Sequence, residues 1–286
     1  MRKTFAVLMG MLLSGFSAVA WGDEPQASPP EPAPAPPPAA SDDLSGKTPA
    51  TTPIAVDARS DVPILAFAYS AYGVAANTWG AQAFGTGLAA SGQDAVAGGG
   101  GAIWGSPLER LTLIVDARRS LSREFTPSAA GIVRLYGDPR DGLSLGALGK
   151  FKVDGFSAGP DGDEVESEIE AGALVSYVQS GWQLDANAIG GMGLGDDGEA
   201  DAELRLRLGR NLGSAVRVGI DGQARMRLSG ERDLPNGRNW DFAAGPQVMV
   251  VSERFFGALT VGPSTTGLVT NNVGWLAMLS LGGTSF

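Results

Sequence analysis

Apolar and polar residues change places at nearly every step from Ala202 to Leu228, "AELRLRLGRNLGSAVRVGIDGQARMRL". Leu204, Leu206 and Leu208 share one face with Val216, Val218, Ile220, Gly222, Ala224, Met226 and Leu228. Glu203, Arg205, Arg207, Arg217, Asp221, Arg225 and Arg227 lie on the other. A period of two is the signature of a strand, since a helix would bring together residues three and four apart. Asn211-Leu212-Gly213 reads as a three-residue hairpin loop with Gly213 at the positive-φ position. That loop sets Arg210 against Ser214, Leu208 against Val216 and Leu206 against Val218. It also sets Arg207 against Arg217 and Glu203 against Asp221, like charges that repel across a pair.

The same alternation predicts strands at 78–89, 95–104, 109–119, 128–137, 143–154, 164–178, 181–194, 201–210, 214–228, 239–251, 255–262 and 273–286. The glycine run in "AVAGGGGAIW" and the short "FFGALTVG" are the weakest of them. Tight connections ("GSPL", "DPRDG", "QS", "NLG", "SER") alternate with longer ones ("LSREFTP", "SAGPDGDE", "GDDGEA", "SGERDLPNGR", "GPSTTGLVTNN"). An even strand count with alternating turn lengths is the organisation of a transmembrane β-barrel. The predicted fold is therefore all-β, an antiparallel up-and-down transmembrane barrel of about 12 strands, within a range of 10–14, spanning residues 77–286. "DVPILAFAYSAYG" at 61–73 is also strand-like. Counting it would make the number odd, so 54–76 is read as a periplasmic or barrel-entry segment.

Alternation alone does not say which face points inward, because a soluble ligand-binding barrel has the same period. The aromatic residues favour the membrane sense. Trp79, Trp104, Tyr177 and Trp182 lie beside short turns or the chain entry, and Trp240 and Trp275 beside long loops. Aromatic residues at strand ends resemble the two girdles at membrane interfaces. A soluble periplasmic barrel is the other reading and would partition into water on detergent phase separation.

The N-terminus adds an export signal. Arg2 and Lys3 precede an apolar stretch from Phe5 to Phe16, and Ala18-Val19-Ala20 offers a small-residue cleavage site, so residues 1–20 read as a signal peptide. From Pro25 to Pro53 dense prolines favour polyproline II and no packed core. Residues 21–53 are read as a disordered periplasmic linker. It is either a solvated spacer or a tether reaching peptidoglycan or a partner.

The last residue, Phe286, closes a strand. In signal peptide, strand pattern and this terminal aromatic the chain resembles bacterial outer-membrane β-barrel proteins, a porin-like class with no subfamily motif. The resemblance implies an outer-membrane location, contact with outer-membrane lipid and lipopolysaccharide, and recognition of Phe286 by the barrel-assembly machinery. Gly282 and Thr284 stand where that class is usually apolar. A glycine bulge at 282–283 is one way to shift the register.

Composition narrows the chemistry. Among 286 residues there is no histidine and no cysteine, which removes histidine-based hydrolysis, ordinary zinc or haem sites, disulfides and a lipidated cysteine. No catalytic residue, metal site or cofactor is predicted. The formal net charge of −10 argues against nucleic acid. Acidic "GPDGDEVESE" (159–168) and "GDDGEADAE" (195–203) match no calcium motif and read as solvated loops. "GGGG" at 98–101 lacks the lysine and helix of a phosphate loop.

What remains is a charged interior, because Arg or Lys against lipid costs about 2–4 kcal/mol at the midplane. The predicted lumen residues are Asp116, Arg118, Arg134, Lys150, Lys152, Asp154, Glu164, Glu166, Glu168, Glu170, Asp185, Glu203, Arg205, Arg207, Arg217, Asp221, Arg225 and Arg227. Basic residues fall on two sectors with glutamates between. The expectation is a transverse field across a narrow pore for passive diffusion of small hydrophilic or charged solutes. Two alternatives stay open: a lumen closed by salt bridges among the same residues, and a non-conducting structural barrel that works through its spacer or acidic loops. An autotransporter is disfavoured, since about 55 mature residues ahead of the barrel carry no passenger domain.

Overall fold

The computed structural model describes residues 67–71, 74, 76–91, 95–119, 125–138, 141–154, 166–195, 198–229, 239–252, 254–265 and 273–285. The expected signal peptide, the proline-rich stretch, Glu164 and Phe286 lie outside them.

Twelve strands form: β1 (Trp79–Ala89), β2 (Val96–Leu108), β3 (Leu111–Arg119), β4 (Phe125–Asp138), β5 (Asp141–Asp154), β6 (Glu166–Gln179), β7 (Trp182–Gly193), β8 (Ala200–Asn211), β9 (Val216–Ser229), β10 (Trp240–Val251), β11 (Phe255–Ser264) and β12 (Gly274–Ser285). Each pairs antiparallel with its neighbours in sequence, and β1 pairs with β12 to close the barrel. All twelve predicted strands are present, the glycine-run β2 and the short β11 included. The strand ends on either side of the five shorter connections (108/111, 138/141, 179/182, 211/216 and 251/255) gather at one end, here the short-turn end. The strand ends at 89/96, 119/125, 154/166, 193/200, 229/240 and 264/274 gather at the other, the long-loop end.

The β8–β9 hairpin corrects the predicted register. Its loop runs 212–215, and Arg210 faces Val218 while Leu208 faces Ile220. The two faces are unchanged, but the partners across the pair are not. Arg207 now sits opposite Asp221 and Glu203 opposite Arg225. The turn is centred two residues later than expected, on 214, and so exchanges two repulsive cross-strand pairs for two attractive ones, worth a few tenths to 1 kcal/mol each relative to neutral pairs. Gly213 keeps its positive φ of 86° inside this loop. No bulge forms at 282–283, because β12 pairs with β1 without a break from Trp275 to Ser285. Gly282 instead faces inward, where any Cβ would run into the ring of Phe256.

The polar face is the inner one. Along β8 and β9, Leu204, Leu206, Leu208 and Ile220 are 42–60 % exposed, while Arg205, Arg207, Arg217 and Asp221 are 0–7 % exposed. The inner face is not polar all round, however. Ile114, Ile132, Leu148, Leu174, Ile189, Met249 and Phe256 also point inward and are buried with Ala102, Trp104, Tyr69 and Val74.

Candidate functional site in the barrel lumen

The lumen holds a piece of the chain itself. Phe67, Ala68, Tyr69, Ser70, Ala71 and Val74 are buried inside the barrel, ahead of β1. In an extended chain alternate backbone groups point the same way. Here the N–H groups of Phe67, Tyr69 and Ala71 donate to Asp221 Oδ2 (3.2 Å), Asn187 Oδ1 (2.7 Å) and Ser176 Oγ (2.7 Å) on β9, β7 and β6. Val74 N–H donates to Thr112 Oγ1 of β3 at 3.1 Å. Asn187 Nδ2 donates to the Tyr69 carbonyl at 2.9 Å, so one carboxamide satisfies both backbone groups of that residue. Arg205 reaches the Phe67 carbonyl at 3.3 Å and Arg207 the Ser70 hydroxyl at 2.9 Å.

These bonds have a physical necessity. A backbone group taken out of water without a partner costs free energy comparable to a lost hydrogen bond. Wall side chains supply the partners named above. The strap's own side chains meet the other wall, where Tyr69, Ala71 and Val74 join the apolar cluster with Trp104, Ile114, Ile132 and Leu148. The ring of Tyr69 also lies under the Arg205 guanidinium, 5.1 Å from its centroid, a cation–π contact. Small residues at 68, 70 and 71 leave room for the backbone to pass.

Around the strap the charged residues pair with one another. Lys150 lies 3.3 Å from Glu170, and Lys152 lies 2.7 Å from Glu168 and 3.4 Å from Glu170. Arg207 donates to Asp185 through Nε at 2.9 Å and Nη2 at 2.7 Å, with both side chains almost wholly buried. Arg205 pairs with Glu203, Arg225 with Asp201 at 2.6 Å, Arg227 with Glu199 at 3.1 Å, and Arg118 with Asp116 at 2.9 Å. Arg134 turns to Glu109 at the short-turn end, 3.4 Å away. Arg217 donates to Gln183 and to Asn211 Oδ1, the latter at 2.7 Å. Asp221 accepts from Gln247 at 3.0 Å besides the strap. Glu166 is exposed at the long-loop lip, in a shallow open pocket lined also by Glu168, Asp201, Arg225 and Arg227.

Of the residues expected in the lumen, those with described side chains lie on the inner face, with Glu166 at its long-loop lip; the side chains of Asp154 and Glu164 are outside the described residues. The lysines of β5 pair with the glutamates of β6, whereas the arginines of β8 and β9 pair with Asp185, Asp201, Glu203 and Glu199, so each basic sector meets its own carboxylates. Among the described residues no group of three or more histidine, cysteine or carboxylate side chains is placed to hold a metal ion.

The aromatic residues divide. Trp79, Tyr177 and Trp182 at the short-turn end, and Trp240 and Trp275 at the long-loop end, are 40–65 % exposed on the outer face. Trp104 is the correction: it points into the barrel at 1 % exposure, over Gly80, where a Cβ would collide with the indole. Its even number places it on the same face as Ala102 and Ser106, so its nearness to a turn gave the wrong side.

Sequence reasoning missed Thr112, Ser176 and Asn187, the uncharged residues that hold the strap. The available signal was their inward parity combined with a strand-like segment, "FAYSAY", that had no place in an even barrel.

No family model matches the chain and no curated protein does. Among solved structures, the NanC porin is 8 % identical, with 72 % of this chain and 98 % of that one covered at a TM-score of 0.55. The translocator domain of the autotransporter NalP from Neisseria meningitidis is 15 % identical over 73 % of this chain and 87 % of that one, with a TM-score of 0.43. At such identities the likeness is one of fold, and the fold is that of an outer-membrane β-barrel.

Proposed function

We propose that the protein is a barrel of the bacterial outer membrane whose lumen is closed at rest by residues 67–74, and that it passes small hydrophilic solutes only when this strap is displaced. The exposed leucines of β8 and β9 suit lipid, the exposed tryptophans at both barrel ends suit two interfacial girdles, and the leader at residues 1–20 suits export. Outer-membrane lipid, lipopolysaccharide and the barrel-assembly machinery are the partners this placement implies. Closure rests on one observation: side chains from β3, β6, β7 and β9 each bond the strap's backbone across the lumen. Bonds to single side chains are fewer than those of a full ladder, which suits a segment that can leave.

The cysteine-free chain makes the test direct. In planar bilayers the mature protein is expected to show rare conductance steps. An Ala71→Cys, Ser176→Cys disulfide abolishes them until it is reduced. Equal conduction by locked and unlocked protein would refute closure by the strap. The interlocked ion pairs of the wall favour a second reading, a permanently closed structural barrel. That reading predicts no steps from an inserted barrel even after the strap bonds are removed by Ser176→Ala with Asn187→Ala.

A further inference from the structure

One row of the wall, read around the barrel, is short of positive charge. Ser176 of β6 stands opposite Asp185 of β7, Asp185 opposite Arg207 of β8, and Arg207 opposite Asp221 of β9. Asp221 in turn stands opposite Gly245 of β10, which has no side chain to offer. A single guanidinium therefore lies between two carboxylates, and Asp185, Arg207 and Asp221 are each no more than 2 % exposed. Arg207 forms its ion pair with Asp185, through Nε and Nη2. Asp221 is left with two neutral donors, the Phe67 N–H and Gln247 Nε2, both on Oδ2. Its buried Oδ1 accepts no hydrogen bond among the described residues. A buried carboxylate held only by neutral groups keeps much of its desolvation cost.

The strap bonds this same row at three points. Ala71 N–H donates to Ser176, Ser70 Oγ accepts from Arg207 Nη2 at 2.9 Å, and Phe67 N–H donates to Asp221. The Ser70 contact holds the guanidinium on the Asp185 side. We propose that Arg207 is a two-position switch. With the strap docked it lies on Asp185 and Ser70. With the strap displaced it spans Asp185 and Asp221, whose strap donor has left. An ion pair available in only one of two states shifts the equilibrium toward that state. The Arg207–Asp221 pair is thus a counterweight, offsetting part of what the wall loses and setting how much of the protein has its strap out. This rests on the reading of the strap as a displaceable closure, and adds to it the pair of residues that regulates displacement.

The test is the rate at which Ala68→Cys, wholly buried in the docked state, reacts with a soluble maleimide in the assembled full chain, where no native cysteine competes. Asp221→Asn keeps an oxygen acceptor for the Phe67 N–H but cannot form the ion pair. Labelling is expected to slow about tenfold, the gap between bonding a charged and a neutral partner. An Asp221 that only anchors the strap predicts the reverse, because a carboxamide accepts more weakly than a carboxylate. In barrels carrying Asp185→Leu with Arg207→Met there is no guanidinium to move, and Asp221→Asn should no longer slow the reaction. Unchanged or faster labelling in the otherwise unaltered wall, or equal slowing in both walls, would overturn the switch. If Ala68→Cys without other changes reacts as fast as the exposed Leu212→Cys, the strap is not docked, and the closure proposed above falls together with the switch.

Discussion

Removing the Asn187 carboxamide should free the strap, and the size of the effect follows from its two bonds. Asn187 accepts from the Tyr69 N–H at 2.7 Å and donates to the Tyr69 carbonyl at 2.9 Å, both buried. Asn187→Ala leaves a buried donor and a buried acceptor without partners, at about 1–3 kcal/mol each. Taking about 3 kcal/mol for the two together, and tenfold in population for each 1.4 kcal/mol, the displaced state rises roughly 100-fold. Asn187→Asp keeps the acceptor and loses the donor, so its effect should be about tenfold. Ala68→Cys is a suitable reporter, because Ala68 is wholly buried and a cysteine there meets a soluble maleimide only when the strap leaves. Where exchange is fast compared with labelling, the labelling rate follows the displaced population. The expected order is Asn187→Ala over Asn187→Asp over the unaltered residue, in barrels that remain heat-modifiable. An unchanged rate in Asn187→Ala would refute the claim that these bonds hold the strap.

Two further outcomes bear on the wall. Asp185→Leu removes the carboxylate nearest the buried Arg207 guanidinium and should cost about 3–5 kcal/mol, whereas adding Arg207→Met should recover most of it; urea midpoints of the refolded variants measure both. Single-tryptophan variants in brominated lipid should show quenching at Trp79, Trp182, Trp240 and Trp275 and none at Trp104, and quenching at Trp104 would contradict its inward position.

How much of this was legible depends on what each feature obeys. Strand number and order follow from a period-two pattern and from turn chemistry, which are local and recur along the chain, and the facing followed once the aromatic residues at the strand ends had chosen the membrane sense. The hairpin register was not, because a three-residue and a four-residue-wider pairing bury the same faces; only the charges at Glu203, Arg207, Asp221 and Arg225 tell them apart, and those had signalled trouble in the form of like-charge pairs. Trp104 failed for a different reason. Nearness to a turn does not fix the side of the sheet, whereas parity with Ala102 and Ser106 does. Part of the apolar lumen was visible as "LTLIV" at 111–115, where Leu113, Ile114 and Val115 run on without alternation although Thr112 on the inner face is polar. Such a run marks a strand covered on both sides, and something must cover the inner one. The strap itself was legible only as a segment with nowhere to pair. Its bonds join residues 38 to 154 positions apart, and no local pattern encodes that.

A segment enclosed by a closed sheet, and continuous with the first strand of that sheet, also restricts how the molecule can be made. The β1–β12 seam is a full ladder from Trp79–Ser285 to Ala89–Trp275, and it joins the two ends of the barrel sequence. Pulling residues 67–71 lengthwise through a finished ring would strip every bond to Asp221, Asn187 and Ser176 along the way. Laying the strap against the open, curving sheet of β6, β7 and β9 strips none. The seam is therefore expected to close last, around a strap already docked, and delayed protection of β1–β12 relative to the strap in a refolding time course would check it.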